Sequence, residues 1–487
     1  MEGCYGRRVQ LFSEEQGLGA QASPKGPQAN QWSLVLSLVG SLKYLEKTFT
    51  KLTVRLSNIR CMWAIAAQLK CKVYQMDIKT AYLNAAIDED IYLEQPEGFN
   101  KGKGLYCHLL KSLYGLKQSG RNWYKLLSNF LVKLGFQPSK ADQCLFVKVI
   151  NNVYYYVAIW VDDIIYFSAD PGFHNAFQQQ MATEFTIGEC GELNWFLGMK
   201  ISCQPGRIEA SQEQYIEALL KRFGMQDCKA SSTPTTEKQQ LTKDDCPAEG
   251  SQQRRDMETL DYRGLVGSLN YLATTTRPDI SFICHVLSSF LHNPGMSHWV
   301  AAKHVLRYLR GTPGHSLTYL NNSGAVGVYG AGDSDYAGNM DSRRSTTGYS
   351  FKLLESQGSV SWASRLQKTV ATSTTEAEIF ALTDAVKEGL HLTTLMGDCG
   401  YSVVPKILCD SQSTIAIVKR RQSLPKTKHY AVRLAYLFDL FESNDIYLDY
   451  IQTDRNYADL FTKGLGKIKH SIHTNSLLFG TPDLAGV

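Results

Sequence analysis

Two sets of carboxylates in this chain have types and spacing that could do chemistry. The first lies in Tyr154–Phe167, YYYVAIWVDDIIYF, where an apolar run is interrupted only by Asp162 and Asp163 and then resumes. Adjacent aspartates between two apolar strands read in either of two ways. One is a hairpin turn, since Asp is a common turn residue, although this turn would have neither Gly nor Asn. The other is a cation site, because carboxylates crowded against a core repel each other and lose solvation unless something compensates. A second strand-like stretch, CKVYQMD, ends on Asp77, with a helix-like segment after it. Two strand-borne acidic sites could converge on a pair of divalent cations. Two-metal phosphoryl transfer needs that arrangement: one ion activates the attacking hydroxyl and the other stabilises the leaving oxygen, with the ions ~3.5–4 Å apart.

The second set is more dispersed. Asp333 ends a strand in AGDSDYAG, and Glu378 lies in a long helix. On the 3.6-residue spiral Glu378 shares a face with Leu382, Ala385, Gly389 and Leu392, and a Glu on an apolar face needs a partner. Asp410 closes the strand ILCD, and Asp459 opens a helix in NYADLFTK. For Asp410 and Asp459 a local explanation is also available, because Asp favours strand ends and helix starts. Four acids at element ends or on a packed face, in a βββ-α-β frame, suit a two-cation nuclease.

The elements that must position these groups follow from pattern. The 487 residues are too many for one ordinary domain, and 44% apolar with 20% charged residues can bury real cores. The net charge of +5 comes largely from residues 1–60, which hold eight Lys/Arg and four Asp/Glu. Global charge is therefore no argument for nucleic acid, and local sites must make the case. The twelve cysteines form no CxxC pair and no zinc-ligand spacing, so reduced, intracellular cysteines are expected. No apolar run has the length of a membrane span, and the N-terminus carries no signal-peptide pattern. Residues 1–46, rich in Gly, Gln, Ser and Pro, are expected to be a poorly ordered head. Strands and helices alternate over 47–232. The polar stretch 233–260 reads as a linker, and 261–314 as a small helical module with stripes such as Leu265, Leu269 and Leu272. Residues 322–466 read as a mixed sheet with helices on it, and 467–487 as a tail.

The residues also carry a family resemblance. QMDIKTAYLN, IYLEQPEGF, KSLYGLKQSGRNWY, LGFQPSKADQCLF, WVDDII, GELNWFLGMKI and YLATTTRPDI closely resemble the reverse transcriptase of copia-type retrotransposon polyproteins, from about Lys47 to Gly311. DSRRSTTGYSF, TVATSTTEAEIFAL, ILCDSQSTIAI, KTKHYAVR and NYADLFTKGL resemble the ribonuclease H domain that follows it. The resemblance implies an α+β chain: a truncated right-hand polymerase palm, a helical thumb or connection module, and a ribonuclease H-like mixed sheet with flanking helices. It makes Asp77, Asp162 and Asp163 the polymerase carboxylates, and Asp333, Glu378, Asp410 and Asp459 those of the nuclease. Each set would hold two Mg²⁺, with Mn²⁺ as substitute. Tyr82 takes the place of an aromatic gate against the ribose 2′-hydroxyl, and Gln118 lies in the segment under template and incoming nucleotide. Phe196–Met199 matches the hairpin that grips the primer end. His429 matches a frequent histidine of the nuclease, and Asp335 reads as a solvated loop acid. The implied partners are an RNA template, a DNA primer, an RNA–DNA hybrid and deoxynucleoside triphosphates, with no membrane. Trp160 replaces the tyrosine usual before Val-Asp-Asp. Residues 1–46 do not resemble the fingers that hold the triphosphate, so nuclease activity is expected to outlast polymerase activity.

Overall fold

A computed structural model describes Ala20–Ala22 and residues 53–480, apart from 97, 99–101, 103, 238–239, 322–325, 355–356 and 422–427. In chain order the polymerase-like part begins with strand β1 (Ala20–Ala22), helix α1 (Leu56–Gln68), β2 (Tyr74–Ile78), β3 (Tyr92–Glu94) and β4 (Leu105–His108). It continues with α2 (Ser119–Lys133), β5 (Gln137–Pro138), β6 (Leu145–Ile150), β7 (Val153–Trp160), β8 (Asp163–Ser168), α3 (Phe173–Ala182) and β9 (Ile187–Glu192). Six of these strands form one sheet in the order β5-β6-β7-β8-β2-β9. Val157, Ile164, Ile165 and Tyr166 bury its centre, and α2 sets Trp123, Leu127 and Leu131 into the same core.

Strand β1 pairs antiparallel with β4, which also pairs with β3, so part of the head that was expected to lack structure is a strand. The remainder of that head, 1–19 and 23–46, lies outside the described residues.

A four-stranded sheet comes next. It contains β10 (Trp195–Phe196), β11 (Met199–Gln204), β12 (Arg207–Ser211) and, much later in the chain, β13 (Ser316–Leu320). Between β12 and β13 lie α4 (Glu213–Arg222), α5 (Gln252–Glu258), α6 (Tyr262–Thr275), α7 (Ser281–Ser288) and α8 (Met296–Gly311). Their buried Leu265, Leu269, Leu287, Val305 and Leu306 make a separate core. Outside 238–239, the stretch read as a linker carries a 3₁₀ turn and α5. Thr242 and Asp245 cap a 3₁₀ turn at Lys243–Asp245, and the Ser251 hydroxyl caps α5 by accepting from Arg254 N at 3.2 Å. Those caps are local polar contacts, which leave no apolar period to read.

A mixed sheet of order β16-β15-β14-β17-β18 closes the chain. It holds β14 (Val328–Ser334), β15 (Thr346–Lys352) and β16 (Ser361–Leu366), which pair antiparallel, while β17 (Pro405–Cys409) joins β14 in parallel and β18 (Tyr447–Tyr450) joins β17 in parallel. Helices α9 (Thr374–Asp398), α10 (Gln412–Arg420) and α11 (Lys428–Glu442) accompany it. Residues 467–480, read as a tail, are mostly helix α12 (Lys467–Phe479), with Leu477 and Leu478 buried and Leu477 O accepting from Ser359 N at 2.7 Å. No helix among the described residues is long and apolar enough to cross a membrane.

The parts are joined by polar bolts. Arg60 on α1 stacks on Trp362 at 3.8 Å and donates to Val360 O at 3.0 Å, while Trp362 Nε1 donates to Ala273 O at 2.8 Å. Tyr156 donates to Cys399 O at 3.0 Å, and Ser139 to Asp398 at 2.6 Å.

Candidate active sites

Trp160 faces Asp163 across the β7–β8 hairpin, so Val161 and Asp162 form a two-residue turn. Such turns require positive φ, and Val161 adopts φ +58°. A β-branched residue there costs on the order of 1–3 kcal/mol and persists only when neighbours over-determine it. Trp123 Nε1 donates to Val161 O at 2.6 Å, and Ile78 N to Asp162 O at 3.0 Å. The pair thus begins in a turn, as one of the two readings had it, and that turn is strained and held in place by its neighbours.

Asp163 is the register partner of Asp77 across β2 and β8, so the three aspartates of the first set are neighbours. Burial, then Asp162 and Asp77, pushes Asp163 up to about 6, and burial and Asp162 raise Asp77. No ion pair reaches these three among the described residues. Their carboxylates nonetheless do not gather into one tight triple. Asp77 Oδ2 packs over Gly188 on β9, where a Cβ would collide with it. Tyr114 donates to Asp162 Oδ2 at 3.2 Å and lies against Tyr82, with ring centroids 4.3 Å apart. Tyr82 is half-buried beside Asp162, which fits both a packing role and a role at the site. Gln118 donates to Glu89 at 2.6 Å. In the hairpin matched to a primer grip, Gly198 has φ +71° and no room for a Cβ beside the Tyr271 hydroxyl, which donates to Leu197 O and ties the hairpin to α6.

The second set converges. One ligand oxygen from each of Asp333, Asp410 and Asp459 lies within 4.8 Å of the others, and Glu378, Cys409 and Asp410 form an adjoining group that shares Asp410. Asp333 is the sixth residue of β14, and Asp410 follows β17, its parallel neighbour. Glu378, on the buried face of α9, accepts from Ser334 N at 3.2 Å and Ser334 Oγ at 2.9 Å. Asp459 sits on a 3₁₀ turn, Tyr457–Phe461, which packs onto β15 at Gly348. A Cβ at Gly348 would lie 2.8 Å from Phe461 Cβ, so this close approach requires glycine. Asn456 Nδ2 anchors the turn to Gly332 O at 3.2 Å, and Thr462 Oγ1 donates to Asp333 Oδ2.

Two lysines complete the site, and the sequence reading missed both. Lys463 Nζ lies 2.9 Å from Asp459 Oδ1 and 3.7 Å from Asp333 Oδ2, and Lys469 Nζ lies 2.7 Å from Asp459 Oδ2. The i,i+4 spacing of Asp459 and Lys463 was a usable signal. Lys469 belongs to the helix taken for a tail. Asp335, read as solvated, is half-buried instead and accepts from Thr346 N across the β14–β15 hairpin. The side chain of His429 lies outside the described residues.

Hard carboxylate oxygens at this spacing fit Mg²⁺ or Mn²⁺. Burial, with Asp459 adding and Lys463 opposing, pushes Asp333 to about 7, and burial with Asp333 pushes Glu378 to about 8. Raised carboxyl pKa values favour the folded state below the ordinary carboxylate range, and that contribution is lost as the pH rises through 7–8. Cation binding must displace these protons, so Mn²⁺ affinity is expected to rise between pH 6 and 8, with proton release detected calorimetrically in buffers of different ionisation enthalpy. A flat profile would remove Asp333 and Glu378 from the ligand set.

Residues 37–237 match the family model described as reverse transcriptase (RNA-dependent DNA polymerase). The chain is 37% identical over 425 residues to the retrovirus-related Pol polyprotein from transposon TNT 1-94 of Nicotiana tabacum, covering 86% of this chain and 32% of that one. It thus spans about a third of that polyprotein's length. It is 30% identical over 318 residues to the transposon Ty5-1 protein of Saccharomyces cerevisiae, covering 64% of this chain and 100% of that one. The solved structure of the foamy viral protease-reverse transcriptase in complex with dsDNA is 12% identical with a TM-score of 0.43, covering 80% of this chain and 70% of that one. On these identities the chain belongs to the Pol polyprotein family of copia-type retrotransposons.

Proposed function

We propose that the chain pairs an RNA-directed DNA polymerase palm, 47–232, with a ribonuclease H domain, 322–466, that cleaves the RNA strand of an RNA–DNA hybrid. The observation that carries the nuclease reading is the convergence of Asp333, Asp410 and Asp459 beside Glu378. Divalent cations held there supply Lewis acidity and charge neutralisation for phosphoryl transfer. The protein's own residues do the placing. Ser334 turns Glu378 into the site, and Thr462 and Lys463 orient Asp333. Asp410 links the two carboxylate groups.

In the palm, Asp77, Asp162 and Asp163 are the polymerase carboxylates, Tyr82 and Gln118 line template and nucleotide, and the helical module 261–314 serves as thumb or connection. RNA template, DNA primer and deoxynucleoside triphosphates are its partners. The absence of a tight carboxylate triple at Asp77, Asp162 and Asp163 favours a second reading for this half, a nucleic-acid-binding remnant that polymerises poorly. Positioning carries much of such catalysis, so the two centres differ in readiness.

The test gives purified chain and Mg²⁺ a labelled RNA–DNA hybrid and, separately, a primed RNA template with triphosphates. Hybrid-dependent RNA cleavage exceeding primer extension is expected. Robust extension without cleavage would reverse the assignment.

A further inference from the structure

Asp459 is fully buried, and an ammonium group faces each of its oxygens: Lys463 lies 2.9 Å from Oδ1 as an ion pair, and Lys469 donates a hydrogen bond to Oδ2 at 2.7 Å. The two lysines have different origins. Lys463 follows Asp459 by one helical turn, whereas Lys469 is delivered by α12, outside the frame that carries the four acids. Helix α12 cannot drift easily, because His470, His473, Thr474, Leu477 and Leu478 are all buried. Lys469 therefore reaches its carboxylate from a fixed base.

Several acids crowded together in a buried site repel one another and lose solvation, and fixed cations relieve both costs. Two divalent ions would bring four positive charges to a place already holding two. The attraction that stabilises the lysines then becomes repulsion against the incoming ions.

Lys469 has somewhere to go. Its Nζ is already 3.3 Å from Thr453 O and 3.6 Å from the exposed carboxylate of Asp454. A small swing toward these oxygens frees Asp459 Oδ2 without leaving the ammonium unpaired. We propose that Lys469 is a positioning residue that serves as the site's own counter-charge, holding Asp459 for divalent cations and exchanged for them when they bind. The proposal rests on the reading of Asp333, Glu378, Asp410 and Asp459 as a cation site. It gives α12 a part in the nuclease rather than in packing alone.

The experiment titrates the full chain with Mn²⁺, following free Mn²⁺ by electron paramagnetic resonance, and records melting temperature in EDTA and in saturating Mn²⁺. Lys469→Met should bind Mn²⁺ about tenfold more tightly than wild type. It should also melt lower in EDTA and gain more on Mn²⁺ addition. Lys469→Arg, which keeps the charge, should bind like wild type. A lysine that only anchors α12 would give unchanged or weaker Mn²⁺ binding in the Met variant, and that result overturns the proposal. If Lys469→Met does not fold, Lys469→Gln, uncharged but with a polar tip, is read in the same titration, with tighter binding expected and unchanged or weaker binding overturning the exchange. Asp410→Asn separates the two levels. Should it bind Mn²⁺ as well as wild type, the cation-site reading itself fails, and the counter-charge role fails with it.

Discussion

Asp410→Asn should lower cleavage of the RNA strand in a hybrid by about 10³-fold, since a cation ligand in phosphoryl transfer is worth several kcal/mol and each 1.36 kcal/mol is a factor of ten. Asp410 is the residue to change because it belongs to both clusters, one with Asp333 and Asp459 and the other with Glu378 and Cys409. The substitution keeps shape and removes one charge. It should leave the fold intact, because Asp410 follows the end of β17 and is only partly buried. Single-turnover cleavage, with melting temperature as control, measures the effect. Cleavage that persists in the variant at the wild-type rate would remove these four acids from the mechanism.

The largest stability effect should come from the helical module. Arg277 and Asp279 are both buried completely, 2.7 Å apart, and Tyr308 donates to Asp279 at 2.6 Å. Arg277 also donates to Thr312 O at 2.9 Å and to its hydroxyl at 2.8 Å. Burial alone would raise the Asp279 pKa, yet the Arg277 guanidinium and the Tyr308 hydroxyl hold it at about 2. Removing one member of such a pair strands the other charge in the core and costs about 3–5 kcal/mol. Asp279→Asn should therefore lower the hydrogen-exchange protection of residues 262–310 by about that amount, while the C-terminal mixed sheet loses less. The pair's contribution is present above the ordinary carboxylate range and is lost only as the pH falls through about 2. Equal protection in wild type and variant would mean that the module tolerates an unpaired guanidinium.

What could be read in advance was whatever left a period or an exception to one. The apolar flanks of Asp162 and Asp163 became β7 and β8, and the stripe carrying Glu378 became α9. Glu378 stood out because an acid on an apolar face needs a partner, which turned out to be Ser334. What could not be read was held by contacts remote in sequence or by single polar groups. The 3₁₀ turn at Lys243–Asp245 depends on a cap and on Asp341, almost a hundred positions away. Lys469 acquires its role only once α12 has docked. The Asp77 carboxylate occupies the space a Cβ at Gly188 would take, a close approach that no pattern in β2 announces.

The path of strand β13 bears on how this polypeptide can be divided. It follows the helical module in sequence, yet it completes the sheet of β10, β11 and β12, pairing Ile208 with Tyr319. It also packs on α1 and reaches the C-terminal half: Gly358 N donates to Thr318 O at 2.9 Å, and the Tyr319 hydroxyl to Ser359 O at 2.9 Å. A break before β13 leaves β12 as a naked edge open to pairing with other chains, and a break after it strips the C-terminal sheet of a packing partner. Independent expression of either half is thus a problem of sheet closure, and a soluble C-terminal fragment would need a substitute for this shared strand.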